Sequence, residues 1–267
     1  MKTILRSIFI FTFAIGVYGI ALTGQETSEP QSQPTNSASA GGTNCPEAEV
    51  ERPWVVLGRS VQCRPILAVT RGEGEKAVLL LGAVHGGERL TGPFVERFDN
   101  EVLSKPGAVS DNRRVIVVAY VNPDGYALGA RANAHGVDIN RNFPTMNWQD
   151  KATWETFPPG PFPMSEPETG VVVKLIESER PVLIISVHSP MNMINFDGPA
   201  RKRAKKMSRI SGLALKKSIG YATPGSLGTY AGVERHIPTI TLELPNAQNI
   251  DEFWEPVRDA LIFAINH

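Results

Sequence analysis

The stretch Ala77-Val-Leu-Leu-Leu-Gly-Ala-Val84, followed at once by His85-Gly86-Gly87-Glu88, decides the fold class. A near-continuous apolar run of this length is typical of a strand buried on both faces of a parallel sheet. The helical spacing of Glu88–Leu103 predicts that a helix follows it. Ligand sites of open α/β sheets lie at the C-terminal ends of strands, so the turn between strand and helix is where a site is expected.

The rest of the chain alternates between strands and helices. Trp54–Leu57 and Val61–Val69 flank Gly58-Arg59-Ser60 and predict a hairpin. Further strands are predicted at Arg114–Tyr120, Val182–Val187 and Pro238–Leu244, and helices at Ser165–Arg180 (capped by Ser165 with Glu168), Pro199–Ile219, Ser226–Arg235 and Asn249–Asn266. This order predicts one α/β domain over residues 45–267, with a mixed, mostly parallel twisted sheet of about eight strands and helices on both faces.

The N-terminal residues indicate export. Lys2 and Arg6 precede the mostly apolar run Ser7–Leu22, which predicts a signal peptide over residues 1–24 and a place in the periplasm or cell envelope. An uncleaved membrane anchor is the alternative, although the run is shorter than the ~20 residues that a spanning helix needs. Residues 25–44 are rich in Ser, Thr, Gln, Gly and Pro and predict a disordered linker. The 27 basic and 27 acidic residues balance, so nothing in the charge suggests nucleic acid.

The chain has two cysteines, Cys45 and Cys63. Export would permit a disulfide between them, which would join the start of the domain to its first hairpin. Two unpaired thiols are the alternative.

Polar residues at the ends of three apolar strands predict a metal site. His85 follows the first run, His188 follows Val182–Val187, and Glu243 lies near the end of Thr239–Leu244. Because the C-terminal ends of parallel strands share one edge, these side chains can converge. His85, Glu88 and His188 would then hold one zinc ion per chain and leave a position open for water. Glu243 would move the protons, or else be a buried salt-bridge partner.

The long loop Asn122–Pro163 supplies further candidates. A loop of this length in a compact domain is usually functional. Arg131 and Arg141 present guanidinium groups that match carboxylates. Asp138 is a candidate acceptor for the second ring nitrogen of a ligating histidine. We expect His135, in the same loop, to be a solvated side chain.

The ordered set His85-x-x-Glu88, Arg131, Asp138-x-Asn140-Arg141, His188 and Glu243 resembles the zinc metallocarboxypeptidase family. The resemblance implies three metal ligands, His85, Glu88 and His188, with Glu243 as general base and acid. It implies that Arg131 stabilises the oxyanion, that Asn140 and Arg141 bind the terminal carboxylate of the substrate, and that Asp138 orients His85.

Two further segments, Thr223–Tyr230 and Leu242–Pro245, resemble the bacterial murein peptide amidase branch of this family. That branch cleaves γ-D-glutamyl-diaminopimelate bonds of cell-wall muropeptides, so the resemblance implies a muropeptide substrate. Tyr230 would either cover the substrate or pack in the core.

Two rival functions stay open. An N-acyl amino acid deacylase of the desuccinylase and aspartoacylase type would use a similar set of residues, and an inactive wall-binding module would have lost catalysis. We expect a monomer. The basic run Arg201–Lys206 is either a solvated helix face or a weak attachment to anionic wall polymer or membrane.

Overall fold

Eight strands form one sheet in the computed structural model, which describes residues 45–46, 53–152 and 154–267. In chain order the strands are β1 (Val55–Arg59), β2 (Pro65–Arg71), β3 (Lys76–Leu81), β4 (Arg113–Val118), β5 (Leu183–His188), β6 (Met193–Asp197), β7 (Ala214–Lys216) and β8 (Thr239–Glu243). Their order across the sheet is β1-β2-β4-β3-β5-β8-β6-β7. The central strands β4, β3, β5 and β8 run parallel, and antiparallel pairs flank them. The predicted α/β fold class is confirmed.

Helices cover both faces of the sheet. The α-helices are α1 (Thr91–Phe98), α2 (Pro123–Leu128), α3 (Pro167–Glu179), α4 (Arg201–Ser211) and α5 (Trp254–Asn266). Helices α1, α4 and α5 bury apolar side chains in one core, and α3 contributes to a second. Strand β3 feeds both cores, since Val78 and Leu80 lie in the first and Leu79 and Leu81 in the second. This two-sided burial explains why its sequence is apolar throughout rather than alternating.

Two strands were not predicted. The helix predicted over Pro199–Ile219 ends at Ser211, because Gly212 takes a left-handed conformation (φ 75°) and the chain continues into β7. Strand β6 is five residues long and contains two polar side chains, Asn195 and Asp197, so no apolar run marks it. In the basic segment of α4, Ala204 is buried while its lysines are exposed, in agreement with a solvated helix face.

The predicted capping box at the start of α3 is wrong. Glu166 is the N-cap residue and makes no side-chain cap. The Ser165 hydroxyl donates to Glu166 Oε1 instead (2.7 Å). Glu168 is fully buried, where it accepts from Val61 N and from Asn133 Nδ2 (2.9 Å), and burial raises its pKa. These carboxylates therefore join three segments of the fold.

Other boundaries shift by a few residues. The helix predicted from Glu88 begins at Thr91 and continues into a π-helical turn over Asp99–Leu103. The turn of the first hairpin lies at 60–64 rather than at Gly58-Arg59-Ser60, and the helix predicted over Ser226–Arg235 is a π-helix over Gly228–Val233. The long loop contains α2 and a 3-10 turn, Ile139–Arg141.

Cys45 and Cys63 are joined in a disulfide, so the alternative of two free thiols is not what the structure has. The disulfide connects the start of the domain to the turn between β1 and β2. The predicted signal peptide and linker lie outside the described residues. Within the described part of the chain, no helix has the length and apolar character that crossing a membrane requires.

Candidate active site

The predicted metal ligands meet at the C-terminal edge of the sheet. His188 is the last residue of β5 and pairs in register with Glu243, the last residue of β8. His85 and Glu88 lie in the turn that follows β3. This turn packs so closely on α2 that a Cβ at Gly86 would lie 1.8 Å from the carbonyl carbon of Gly125. A side chain at position 86 would therefore displace the turn that positions both ligands.

The spacing of the three ligand groups fits zinc. The Nδ1 atoms of His85 and His188 lie 3.2 Å apart. Two nitrogens on a tetrahedral zinc at 2.0–2.1 Å are separated by about 3.3 Å. Glu88 places Oε1 2.7 Å from His85 Nδ1 and Oε2 3.1 Å from His188 Nδ1. One ligand atom from each of the three residues lies within 4.8 Å of the others, as a single ion requires.

Each histidine has a partner for its other ring nitrogen. His85 Nε2 lies 3.0 Å from Asp138 Oδ1, and His188 Nε2 lies 3.0 Å from the Ser186 hydroxyl. A proton held on Nε2 by such a partner leaves the Nδ1 lone pair free for a metal. Asp138 was predicted in this position. Ser186 was not, although it lies two residues before His188 on β5 and therefore on the same face of the strand.

Charges in the ligand group shift pKa values in opposite directions. Burial alone would lower the pKa of His85, but the Glu88 and Asp138 carboxylates outweigh burial and raise it to about 9. Burial would raise the pKa values of Glu88 and Asp138, but His85 together with His188 near Glu88 and Arg131 near Asp138 outweighs burial and holds both pKa values below their usual range. The Glu88 carboxylate therefore stays anionic beside both Nδ1 atoms, which favours a cation there.

The strand ends open onto a cavity of about 340 Å³. Its walls include seven of the residues predicted for binding and catalysis, namely His85, Glu88, Arg131, Asn140, Arg141, His188 and Glu243. Glu243 is 7% exposed, and its Oε2 accepts from Met191 N (3.4 Å). Burial raises its pKa, and His188 only partly offsets this.

The loop residues hold one another in place. Arg131 Nε donates to Asp138 Oδ2 (2.9 Å), and its Nη1 lies 3.7 Å from Glu88 Oε1. Asn140 Oδ1 accepts from Leu227 N (2.9 Å). Arg141 is buried and donates from Nη1 to the carbonyl of Asn140 (2.7 Å). Asp138 therefore connects His85, a predicted metal ligand, with an arginine of the cavity wall.

Tyr230 does not line the cavity, so the substrate-covering role predicted as one alternative is wrong. The residue is fully buried, its hydroxyl donates to Glu177 Oε1 (3.3 Å), and Arg235 lies over its ring. Tyr221 lines the cavity instead. Sequence reasoning missed Tyr221, because Tyr230 was the one tyrosine that it weighed for this role.

A further carboxylate in the cavity wall was not predicted. Asp197 ends β6, lines the cavity, and has a pKa raised by burial. Among the described residues, no hydrogen bond or ion pair engages its carboxylate. Gly228 faces it so closely that a Cβ there would lie 2.3 Å from Asp197 Oδ2. The carboxylate therefore faces a part of the wall that has no side chain.

His135 agrees with its expected exposure, since its side chain is 57% exposed. It is nevertheless paired, with Nδ1 2.8 Å from Glu166 Oε2. The contact links the long loop to the start of α3, and His135 is not among the residues that line the cavity.

The fold and the site together define a zinc carboxypeptidase, and the chain belongs to that family. The family model, described as zinc carboxypeptidase, matches residues 52–208, a range that includes His85, Glu88, Arg131, Asn140, Arg141 and His188. The family is zinc-dependent, and the chain is a hydrolase of this type.

Several proteins similar to this chain are murein peptide or murein-tripeptide amidases. The chain is 33% identical over 223 residues to murein peptide amidase A of Vibrio campbellii, covering 79% of this chain and 86% of the relative. Murein peptide amidase A of Escherichia coli K12 is 39% identical over 144 residues, which cover 50% of this chain and 59% of the relative. A solved murein-tripeptide amidase from Escherichia coli O157 superposes with a TM-score of 0.66 at 29% identity, covering 80% of this chain and 92% of that structure.

Proposed function

We propose that this chain is an exported zinc-dependent amidase that hydrolyses the γ-D-glutamyl-diaminopimelate bond of cell-wall muropeptides. One observation carries the proposal. The His85, Glu88 and His188 group opens, next to Glu243, into the cavity that Arg141 also lines. The 33% sequence identity to murein peptide amidase A of Vibrio campbellii, over 79% of this chain, supports this choice of substrate.

When bound by the three ligands, zinc supplies a Lewis acid that polarises a carbonyl and acidifies a water molecule. Glu243 accepts the proton that the water loses on attack and delivers it to the leaving amine. Burial suits Glu243 to this exchange, because a raised pKa strengthens a carboxylate as a base. Arg131 stabilises the negative charge that develops on the carbonyl oxygen.

Asn140 and Arg141 bind the carboxylate of the residue that leaves. Arg141 is 3% exposed, and burial lowers its pKa, with Asp138 partly offsetting the effect. A buried guanidinium gains more from a carboxylate than one in water would, since the surrounding dielectric is lower.

Asp197 favours a diamino acid at that position. Its carboxylate lies in the same cavity wall, partly buried and without a cationic partner among the described residues. A buried carboxylate is stabilised by a cation, and the second amine of diaminopimelate supplies one. A substrate with an uncharged side chain would leave this carboxylate unpaired.

The test is mass analysis of products. The purified chain is incubated with L-alanyl-γ-D-glutamyl-meso-diaminopimelate and, separately, with N-succinylglutamate. We expect free diaminopimelate from the first, loss of the reaction with a chelator, and recovery on addition of zinc. Turnover of N-succinylglutamate alone would favour the deacylase instead, and turnover of neither by the zinc-loaded chain would favour the inactive wall-binding module.

Export is tested separately. The proposal rests on Lys2, Arg6 and the apolar run that follows them. We expect the intact mass of the protein recovered from the cell envelope to lack about the first 24 residues. Recovery of the unprocessed chain from the membrane fraction would instead indicate the uncleaved anchor.

A further inference from the structure

One aromatic side chain outside the catalytic set touches three side chains of the cavity wall. The guanidinium carbon of Arg131 lies 4.3 Å from the ring centre of Phe157, and that of Arg141 lies 5.2 Å from it. The ring of Tyr221 stacks on Phe157 with centres 6.1 Å apart and planes 20° apart. Arg131 and Arg141 lie in the same long loop as Phe157, whereas Tyr221 comes from a segment distant in sequence.

The segment that contains Phe157 is hydrogen-bonded to both ends of the 3-10 turn that contains Asn140 and Arg141. Asp138 N donates to the carbonyl of Pro158 (2.8 Å). Asn142 Nδ2 donates to the carbonyl of Pro159 (2.8 Å) and to that of Phe162 (3.0 Å). The backbone next to Phe157 is therefore fixed to the residues on either side of Asn140 and Arg141.

Phe157 also offsets the electrostatic repulsion between the Arg131 and Arg141 guanidinium groups. Arg131 and Arg141 are close enough for the charge of the first to lower the pKa of the second. Two neighbouring positive charges repel each other, which favours conformations that move the two arginine side chains apart. An aromatic ring attracts a cation to its face through its quadrupole, and the attraction strengthens when water is excluded. A single ring in contact with both guanidinium groups thus opposes their separation.

We propose that Phe157 is a positioning residue that holds Arg131 and Arg141, with the Tyr221 ring beside them, in the arrangement in which the two arginines bind and polarise a carboxylate-bearing substrate. The inference rests on the proposed function, and it assigns Phe157 no contact with the reacting atoms. The ring acts through its electrostatic face and its stacking, so an apolar side chain of similar size would not replace it.

The test compares two substrates, the free-acid tripeptide and its C-terminal carboxamide. In Phe157→Leu we expect the preference for the free acid, as a ratio of kcat/KM values, to fall about five- to thirty-fold, the range of one desolvated cation–π contact. Phe157→Tyr keeps the ring and should retain the preference. Phe162→Leu, a change of an exposed aromatic on the same segment, is the matched control and should leave it unchanged.

A second variant keeps the inference testable if Phe157→Leu does not fold. Replacing Phe157 with 3,4,5-trifluorophenylalanine keeps the shape of the ring and removes its negative face. We expect the preference to fall here as well, with zinc content and melting temperature unchanged. An unchanged preference in both the leucine and the fluorinated variant would overturn the inference while leaving the proposed function intact.

A substrate-independent measurement separates the two proposals. If the wild-type chain hydrolyses neither peptide, the proposed function fails. ¹⁵N relaxation of the Nε–H groups then still tests Phe157. We expect Arg131 and Arg141 to become more mobile in the fluorinated variant than in the wild type. Equal mobility would overturn the positioning role.

Discussion

At the scale of single residues, Glu243 is the group whose chemistry can be removed with the least change in shape. Glu243→Gln keeps the side-chain size and the acceptor that faces Met191 N, but it removes the proton-accepting carboxylate. We expect kcat to fall by about 10²–10⁴. Zinc content should be unchanged, because Glu243 is not one of the three ligands, and the melting temperature should not fall, because burial already penalises the charged form.

The measurement for Glu243→Gln is single-turnover hydrolysis together with metal analysis of the same sample. Full activity in a zinc-loaded variant would exclude Glu243 as the base. Loss of zinc along with activity would mean instead that the carboxylate takes part in the metal site.

Asp197 controls the choice of side chain in the proposed function. We expect Asp197→Asn to lower kcat/KM for a tripeptide ending in diaminopimelate and to have little effect on one ending in 2-aminopimelate, which lacks the second amine. The ratio of the two kcat/KM values should fall by about ten- to 150-fold, since a charged hydrogen bond contributes about 1.5–3 kcal/mol. Equal losses on both peptides would contradict a role in recognising the amine.

The same preference should depend on pH in the wild type. Burial raises the pKa of Asp197 above its ordinary value, so the carboxylate is protonated at a higher pH than a solvated aspartate would be. The charged form that attracts the amine is therefore lost as the pH falls through this raised value. We expect the diaminopimelate preference to decline on acidification in the wild type and to stay flat in Asp197→Asn.

At the scale of elements, the turn after β3 depends on its contact with α2. In Gly86→Ala the new Cβ would meet the backbone of Gly125 and Tyr126 at 1.8–2.3 Å, and backbone cannot rotate away as a side chain does. We expect a loss of about 1–3 kcal/mol or more in the free energy of unfolding. Zinc affinity should also fall, because His85 and Glu88 move with the turn.

Gly170→Ala is the matched control for this prediction. Gly170 lies within α3, and a Cβ there meets nothing within 4 Å. Because alanine favours the helix over glycine, we expect a gain of about 0.5–1 kcal/mol and unchanged zinc affinity. Denaturant unfolding and zinc titration measure both variants. Wild-type stability in Gly86→Ala would show that the turn has room to shift.

At the scale of the whole molecule, the disulfide joins the start of the domain to the first hairpin. Cys45 and Cys63 are 18 residues apart in sequence, and closing a loop of this size stabilises a fold by about 3 kcal/mol in the chain-entropy account. We expect the double variant Cys45→Ser with Cys63→Ser to lose a similar free energy of unfolding. Its kcat should not change, because neither cysteine lines the cavity.

The hairpin has a second attachment that keeps it in place in this variant. Ser60 Oγ donates to Asp124 Oδ1 and Gln62 N donates to Asp124 Oδ2, both at 2.8 Å. Reduction of the wild type should reproduce the loss of stability. An unchanged denaturation midpoint would show that these bonds alone hold the hairpin.

The amino-acid sequence by itself determined the fold class and the strand ends at which the predicted site residues meet. An apolar run that ends at His85, a second that ends at His188 and a third that contains Glu243 are local features. Parallel pairing brings the ends of such strands to one edge, whatever the loops between them do. The convergence of these residues therefore followed from strand position alone.

Only the tertiary structure decided which side chains complete the cavity. Tyr221 and Tyr230 are chemically alike, and packing alone puts the first in the wall and the second in the core. Asp197 lies on a short strand without an apolar run, and Phe157 lies in a loop without a period. The sequence pattern predicts on which face of its own helix or strand a residue lies. Contacts between distant segments depend on how those elements pack, which no local pattern encodes.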